Sequence, residues 1–138
     1  MILLRVSRWA LAAAGIACAV TAAAAPPHPE PRVIVNVIAV RGPHAPLEVQ
    51  RAARLAWGRI IRCYKSIDNG AKGQVGLELQ VSKSGNVASA RAGRSTLDNP
   101  ELVRCLADTM TGLAMPRADA DSSASIEIHL APGDKVSP

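Results

Sequence analysis

Residues 32–40 begin the regular part of the chain with a β-branched run, RVIVNVIAV, which is typical of a β-strand. Successive side chains of a strand point to opposite faces, so both faces of this strand are apolar. One face carries Val33, Val35 and Val37, and the other carries Ile34, Ile38 and Val40. We therefore expect a strand that is either covered on both faces or offers an exposed edge to a partner.

The segment from Pro46 to about Ile67 has apolar residues at helical spacing and predicts one long helix. Pro46 suits the first turn of a helix, and the Glu48 carboxylate suits its positive end. The apolar stripe consists of Ala53, Ala56, Trp57, Ile60, Ile61, Tyr64 and Ile67. The opposite side, with Arg51, Arg54, Arg62 and Lys65, indicates either a solvated face or contact with an acidic surface.

Residues 74–82 show the strictest alternation in the chain and predict a second strand. Its inward side chains are Val75, Leu77, Leu79 and Val81. The turn at 83–86 contains Gly85, which is free to take a positive φ, so the chain is expected to reverse there into a hairpin. The return strand begins at Val87, and its pattern weakens through 88–92.

A second helix is predicted to start at Asn99, with Pro100 at its first position, and to end at Pro116. Its apolar face consists of Leu102, Leu106, Thr109, Met110 and Leu113. Residues 124–130 alternate again and predict a last strand with Ala124, Ile126, Ile128 and Leu130 inward.

These elements follow the order β-α-β-β-α-β and predict an α+β fold, a small antiparallel sheet with two helices packed on one face. Ferredoxin-like folds share this order with other α+β sandwiches. We expect a single domain over residues 32–131 and a frayed tail over 132–138.

Residues 1–24 have the features of a secretory signal peptide: Arg5 and Arg8, then an uncharged run that ends in small residues. Residues 25–31 form a Pro-rich linker. We therefore expect export to the periplasm of a Gram-negative bacterium. Cys18 follows Ala17 and leaves a second interpretation open, in which Cys18 is lipidated and holds an outer-membrane lipoprotein at the membrane.

Composition narrows the classes of partner. The chain has 138 residues, of which 2% are aromatic: two Trp, one Tyr and no Phe. Single-stranded nucleic acids are usually bound on stacking rings, so we expect no nucleic-acid partner. The formal net charge is +5, and loss of Arg5 and Arg8 with the leader leaves +3. Such a charge allows only weak contact with an anionic cell-wall or membrane surface.

Cys63 and Cys105 lie on or beside the apolar stripes of the two predicted helices. An exported protein folds in an oxidising compartment, so we predict a disulfide between them. The chain-entropy model gives such a bond about 4 kcal/mol of stability. Two free thiols in the core are the alternative.

No residue pattern indicates catalysis. His28, His44 and His129 lack the spacing of metal ligands, and we interpret them as solvated side chains. We expect no metal, no cofactor and no enzymatic activity.

Several short motifs, in this order, resemble the AgmX/PglI C-terminal domain, a TonB C-terminal-like module of envelope and gliding-motility proteins. They are Cys63-Tyr64, the strand from Gly73 to Val81, Gly85-Asn86-Val87, Ser95-Thr96-Leu97 and Cys105, over about residues 57–130. Met115-Pro116 stands where the family has Phe-Pro. The resemblance implies a TonB C-terminal-like fold and an interaction role. It does not imply energy transduction, because the linker is too short to span a periplasm.

We therefore predict a non-catalytic interaction module that binds an envelope protein or peptide when the partner pairs with a free sheet edge. One candidate edge is the strand at 32–40, and the other is the last strand, with Ile126, Ile128 and Leu130 as interaction residues. The alternatives are a lipoprotein with a structural envelope role, anchored through Cys18, and an accessory to a cell-wall enzyme.

Overall fold

A four-stranded antiparallel sheet and three helices make up the computed structural model, which describes residues 31–133. The strands are β1 (Arg32–Arg41), β2 (Gly73–Val81), β3 (Val87–Ser95) and β4 (Ser122–Ala131), and the helices are α1 (Pro46–Leu55), α2 (Trp57–Ile67) and α3 (Pro100–Met110). The α+β class and the antiparallel sheet are confirmed. The signal peptide at 1–24, Cys18, the linker up to residue 30 and the tail from 134 lie outside the described residues.

The sheet is open, and its strand order is β1-β4-β2-β3. The last strand of the chain is therefore central, and it pairs with β1 on one side and with β2 on the other. β2 is the second central strand, and β3 follows it through the hairpin. The edges of the sheet are β1 and β3.

One hydrophobic core lies between the sheet and the helices. Its strand residues are the inward set of the two central strands, among them Val75, Leu77, Ile126 and Ile128. The helices contribute from one side, with Val49 of α1, Ile60 and Tyr64 of α2, and Leu102, Leu106 and Met110 of α3. The other face of the sheet is open and polar along β2 and β4.

The predicted long helix is two helices, so the prediction of one helix over 46–67 is wrong. Ala56 separates them, and its N–H donates to the Ala53 carbonyl (3.1 Å) instead of continuing the helix. The break lets α1 pack beside β1 while α2 packs against α3. Ala56 itself is fully buried, so the apolar spacing continues through the break and gives no sign of it. Trp57, predicted within the stripe, is instead half exposed.

β1 is distorted by a bulge between Val37 and Ala39, where its register against β4 shifts. The extra residue moves Val40 to the half-buried side with Val33, Val35 and Val37. The placement of Val40 with Ile34 and Ile38 is therefore wrong. Ile34 and Ile38 are left as the exposed apolar side chains of the strand.

The predicted helix start at Asn99 is confirmed. The Asn99 Oδ1 accepts hydrogen bonds from the N–H groups of Glu101 (3.1 Å) and Leu102 (3.2 Å). The predicted end at Pro116 is wrong, because α3 ends at Met110. The chain then turns at Gly112, and Leu113 lies outside the helix. Its carbonyl accepts a hydrogen bond from the Val87 N–H at the start of β3.

Tyr64 connects α2 to the loop before β2. Its side chain is buried, and its hydroxyl donates to the Ala71 carbonyl at 2.7 Å. Burial raises the pKa of the Tyr64 phenol above 10.0, and the nearby Asp68 carboxylate raises it further.

The stability that Tyr64 contributes is therefore expected to fall at alkaline pH. The unfolded chain ionises Tyr64 near pH 10 and the folded chain only above it, so this stability is fully present below about pH 10 and is lost as the pH rises through the folded pKa. Tyr64 is the only tyrosine, so phenolate absorbance in native buffer and in denaturant measures both ionisations.

The Tyr64→Phe variant should lose about 1 kcal/mol at neutral pH, because it lacks the hydrogen bond to Ala71. Its stability should also fall less at alkaline pH, because the loss that comes from ionisation of Tyr64 is absent. Phenolate that appears at the same pH in the native and the denatured protein would contradict the prediction.

Candidate functional site

The predicted disulfide is confirmed. Cys63 of α2 and Cys105 of α3 are bonded, with their Cα atoms 5.9 Å apart. The bond therefore joins the two helices that cover the centre of the sheet. Thr109 packs one turn further along α3, where its hydroxyl donates to the Cys105 carbonyl at 2.8 Å. The disulfide therefore holds α2 and α3 together.

The last strand does not form an interaction edge, so the assignment of Ile126, Ile128 and Leu130 to a partner is wrong. β4 is paired on both sides, and all three side chains are at most 2% exposed. The physical reason is that these residues fill the core, while β1 and β2 pair with the two sides of β4. A partner strand has no unpaired backbone to bind on β4.

β1 is the edge that the structure leaves to a partner. It extends over 10 residues and lies at the end of the sheet, where β4 is its only partner strand among residues 31–133. Ile34 and Ile38 are 54% and 62% exposed. The sequence predicted either a strand covered on both faces or a strand with an exposed edge. The structure has the exposed edge.

The open face next to β1 is polar. Ser125 donates a hydrogen bond to the Glu78 carboxylate (2.5 Å), and the Glu127 carboxylate contacts the His129 ring. His129 lies on this outward face, as expected for a solvated side chain. The exposed apolar side chains of the open face therefore belong to the edge strand.

α1 lies along β1 on the helical side. The Gln50 side-chain amide donates to the Val35 carbonyl at 3.0 Å and so occupies one acceptor in the middle of the strand. An open groove of about 330 Å³ continues from the start of β1, lined by Arg32, Ile34, Lys72, Gln74 and His129. The β1 surface thus combines a strand backbone, two isoleucines and a basic groove.

β3 is a less suitable edge. The Val87 N–H donates to the Leu113 carbonyl and the Val87 carbonyl accepts from the Gly112 N–H, each at 2.9 Å. The chain after α3 therefore already covers the start of this strand. The rest of β3 carries small or charged residues, including Arg91 and Arg94, and two register shifts distort it. Charges and bulges discourage strand addition, and β1 has only one bulge and carries its charges only at its two ends.

His44 is buried, so its interpretation as a solvated side chain is wrong. It is 2% exposed, its Nδ1 lies 2.7 Å from Ser122 Oγ, and its Nε2 lies 3.0 Å from the Pro116 carbonyl. The carbonyl can only accept, so Nε2 carries the proton and Nδ1 accepts from the Ser122 hydroxyl. These bonds join the loop after β1 to the start of β4.

The contact between Ser122 and His44 has two members of a hydrolytic triad, but both side chains are closed to a substrate. Ser122 is 4% exposed, and the second ring nitrogen of His44 is occupied by Pro116. We therefore assign it a structural role. Sequence reasoning missed it because the two residues are 78 positions apart.

The remaining grooves in the described part of the chain are open and lined mainly by charged and small side chains. One open groove of about 540 Å³ lies beside the disulfide, between Arg59, Glu101, Arg104 and Asp108. Within residues 31–133, no group of three or more His, Cys, Asp or Glu side chains is placed to hold a metal ion. Over the same residues, no helix is long and apolar enough to cross a membrane.

No family model, curated protein or solved structure matches the chain. The β1 surface and the features of the sequence are therefore what indicate a function for this chain.

Proposed function

We propose that this chain is an exported, non-catalytic interaction module of the bacterial envelope, and that a partner strand binds by pairing with the edge of β1. The observation that carries the proposal is the exposed edge strand with Ile34 and Ile38 beside it. An extended segment that pairs with β1 forms main-chain hydrogen bonds and buries these two side chains, which is the usual basis of strand addition.

The charge of the β1 surface favours an acidic partner. Arg32 and Arg41 lie at the two ends of the strand, and Lys72 lines the groove that continues from its start. A second copy of this chain, paired antiparallel through β1, brings the two arginines near each other, and like charges across a strand pair are unfavourable. The best occupant is therefore a segment with apolar residues at its centre and carboxylates at its ends.

Export agrees with the disulfide, because such bonds persist in oxidising compartments and are rare in the cytosol. The resemblance of the Cys63-Tyr64, Gly85-Asn86-Val87 and Ser95-Thr96-Leu97 motifs to the AgmX/PglI C-terminal domain favours the same location and a TonB C-terminal-like fold. We propose this fold and an exported location for the chain, and the location we propose is the periplasm of a Gram-negative bacterium.

Ile38→Lys tests the β1 edge. Ile38 is exposed at the bulge, so we expect the variant to fold normally, while a lysine at this position blocks an incoming strand. Proteins captured from an envelope extract by the wild-type chain and by the variant are compared by mass spectrometry. A specific partner should fall at least tenfold in the Ile38→Lys capture.

The matched control is Ser89→Lys, which adds the same charge to an exposed position of the other edge strand. It should capture the partner as the wild type does. A partner that both variants retain, with their thermal midpoints unchanged, would rule out binding at β1.

Cys18 favours a second candidate, a lipoprotein with a structural role in the envelope. In this alternative the leader is cut before Cys18, and an acyl chain holds the protein at the membrane. The intact mass of the exported protein separates the two candidates, because it reports the cleavage site and any lipid together. A mass that begins near residue 25 excludes the lipid anchor.

A further inference from the structure

A second surface, independent of the β1 edge, lies on the outer side of α1. Within residues 31–133, the exposed large hydrophobic side chains all fall between residues 34 and 57. Three of them lie on α1 and at the start of α2: Leu47 (58% exposed), Leu55 (82%) and Trp57 (46%). An exposed Leu alone is ordinary, but three such residues within eleven positions form a feature that needs an explanation.

The outer side of α1 is also basic. Leu47, Arg51 and Leu55 are spaced four residues apart and form one line along the helix, with Arg54 beside them. The opposite side of the helix, with Val49, Ala52 and Ala53, is buried in the protein. The carboxylate nearest in the sequence, Glu48, is held at the start of the helix, where it accepts the Ala45 N–H at 3.0 Å.

We infer that this α1 outer face (Leu47, Arg51, Arg54 and Leu55) docks onto an anionic lipid bilayer. Binding at a membrane interface combines burial of apolar side chains with electrostatic attraction to anionic lipids, and this face carries both kinds of side chain. The arginines attract the anionic headgroups, and the apolar side chains enter the boundary of the acyl region.

Two other occupants fit the surface less well. A protein partner usually anchors its main side chains in pockets, whereas the grooves described above are lined by other residues and the α1 outer face is a convex helix surface. An anionic cell-wall polymer can pair with the arginines but offers nothing apolar to Leu47 and Leu55. A bilayer offers anionic headgroups to the arginines and an apolar interior to the leucines.

Sedimentation with lipid vesicles tests the inference. The protein is purified after export, and every sample carries Cys18→Ala so that no acyl chain contributes. Wild type should bind vesicles of equal parts phosphatidylglycerol and phosphatidylcholine, bind pure phosphatidylcholine much more weakly, and lose affinity as salt is added. The double variant Arg51→Gln/Arg54→Gln should bind the anionic vesicles about thirtyfold more weakly, because each surface arginine contributes about fivefold.

Leu55→Ser should weaken the same binding about tenfold, because the leucine no longer enters the bilayer. Arg51, Arg54 and Leu55 are exposed, so these variants are expected to keep the disulfide and the thermal midpoint of the wild type. The matched control is Arg91→Gln/Arg94→Gln on β3, which removes the same charge and should leave vesicle binding unchanged.

Three results would overturn the inference. The first is equal binding to anionic and zwitterionic vesicles, or no binding to either. The second is an equal loss of vesicle binding in Arg51→Gln/Arg54→Gln and in Arg91→Gln/Arg94→Gln, which would mean that binding depends only on net charge. The third is unchanged vesicle binding by Leu55→Ser, which would mean that the leucine does not enter the bilayer and that the face recognises only anionic charge, as an anionic polymer also supplies. Ile38→Lys should not affect vesicle binding, so failure of the β1 proposal and failure of this one are distinguishable.

Discussion

Reduction of the bond between Cys63 and Cys105 is expected to lower the free energy of unfolding by about 4 kcal/mol. The bond joins residues 42 positions apart and so restricts a long loop of the unfolded chain. A domain of this size has a total stability of about 5–15 kcal/mol, so the loss removes a large share of it. The folded structure loses little else, because the core cluster also includes contacts of α2 and α3 with the sheet.

Urea unfolding of the oxidised and the reduced wild type measures this effect with identical side chains. The reduced protein should also show a steeper dependence of the free energy on urea, since an unfolded chain without the cross-link exposes more surface. The double variant Cys63→Ala/Cys105→Ala should match the reduced wild type to within about 1 kcal/mol. A reduced protein as stable as the oxidised one would mean that the bond contributes no net stability.

The local elements of this fold could be predicted because their signals are local. The alternation of Val75, Leu77 and Leu79 identified β2, and Asn99 followed by Pro100 identified the start of α3. The cysteine pair was predictable because each thiol lies beside the apolar stripe of its own helix. For β2 and α3, the residues that determine the structure lie within a few positions of one another. The two cysteines are 42 positions apart, and their pairing was predicted from the oxidising compartment expected of an exported protein.

The order of the strands could not be predicted in the same way. A strand with one buried and one open face shows the same alternation at the edge of a sheet as at its centre. Ile126, Ile128 and Leu130 alternate with Glu127 and His129, and this pattern suits either position. The sheet order places β4 at the centre, and therefore leaves β1 as the candidate interaction edge of the two that were predicted.

Two further features depend on contacts between distant parts of the chain. The apolar spacing continues through Ala56, so the break between α1 and α2 follows from packing against β1 and α3. His44 is buried because Ser122 and Pro116, more than seventy positions later, supply its hydrogen-bond partners. A lone histidine in a predicted loop carries no sign of such partners.

Gly85→Ala is expected to destabilise the protein by about 2–3 kcal/mol, through steric conflict as well as backbone strain. Gly85 lies in the β2–β3 turn at φ +94°, a conformation that residues with a Cβ rarely adopt. A Cβ at this position would lie 2.0 Å from the Met115 carbonyl oxygen, which belongs to rigid backbone. The variant must therefore move the turn away from residues 112–116.

That movement breaks a connection between two distant segments. The Gly85 carbonyl accepts the Met115 N–H at 2.7 Å, and the neighbouring Asn86 forms a bridge with Ala114. Separation of the turn from the segment after α3 loses this hydrogen bond and exposes Met115, which is buried. The expected loss combines about 1–2 kcal/mol of left-handed strain with about 1 kcal/mol for the hydrogen bond.

Gly112→Ala is the matched control, because it separates the strain from the steric conflict. Gly112 has φ +84°, similar to Gly85, but nothing lies within 4 Å of a Cβ built there. It should therefore cost only about 1 kcal/mol in thermal or urea unfolding, which is the conformational part. If Gly85→Ala proves no more destabilising than Gly112→Ala, the turn can shift without loss, and the contact between residues 85 and 115 does not hold the hairpin in place.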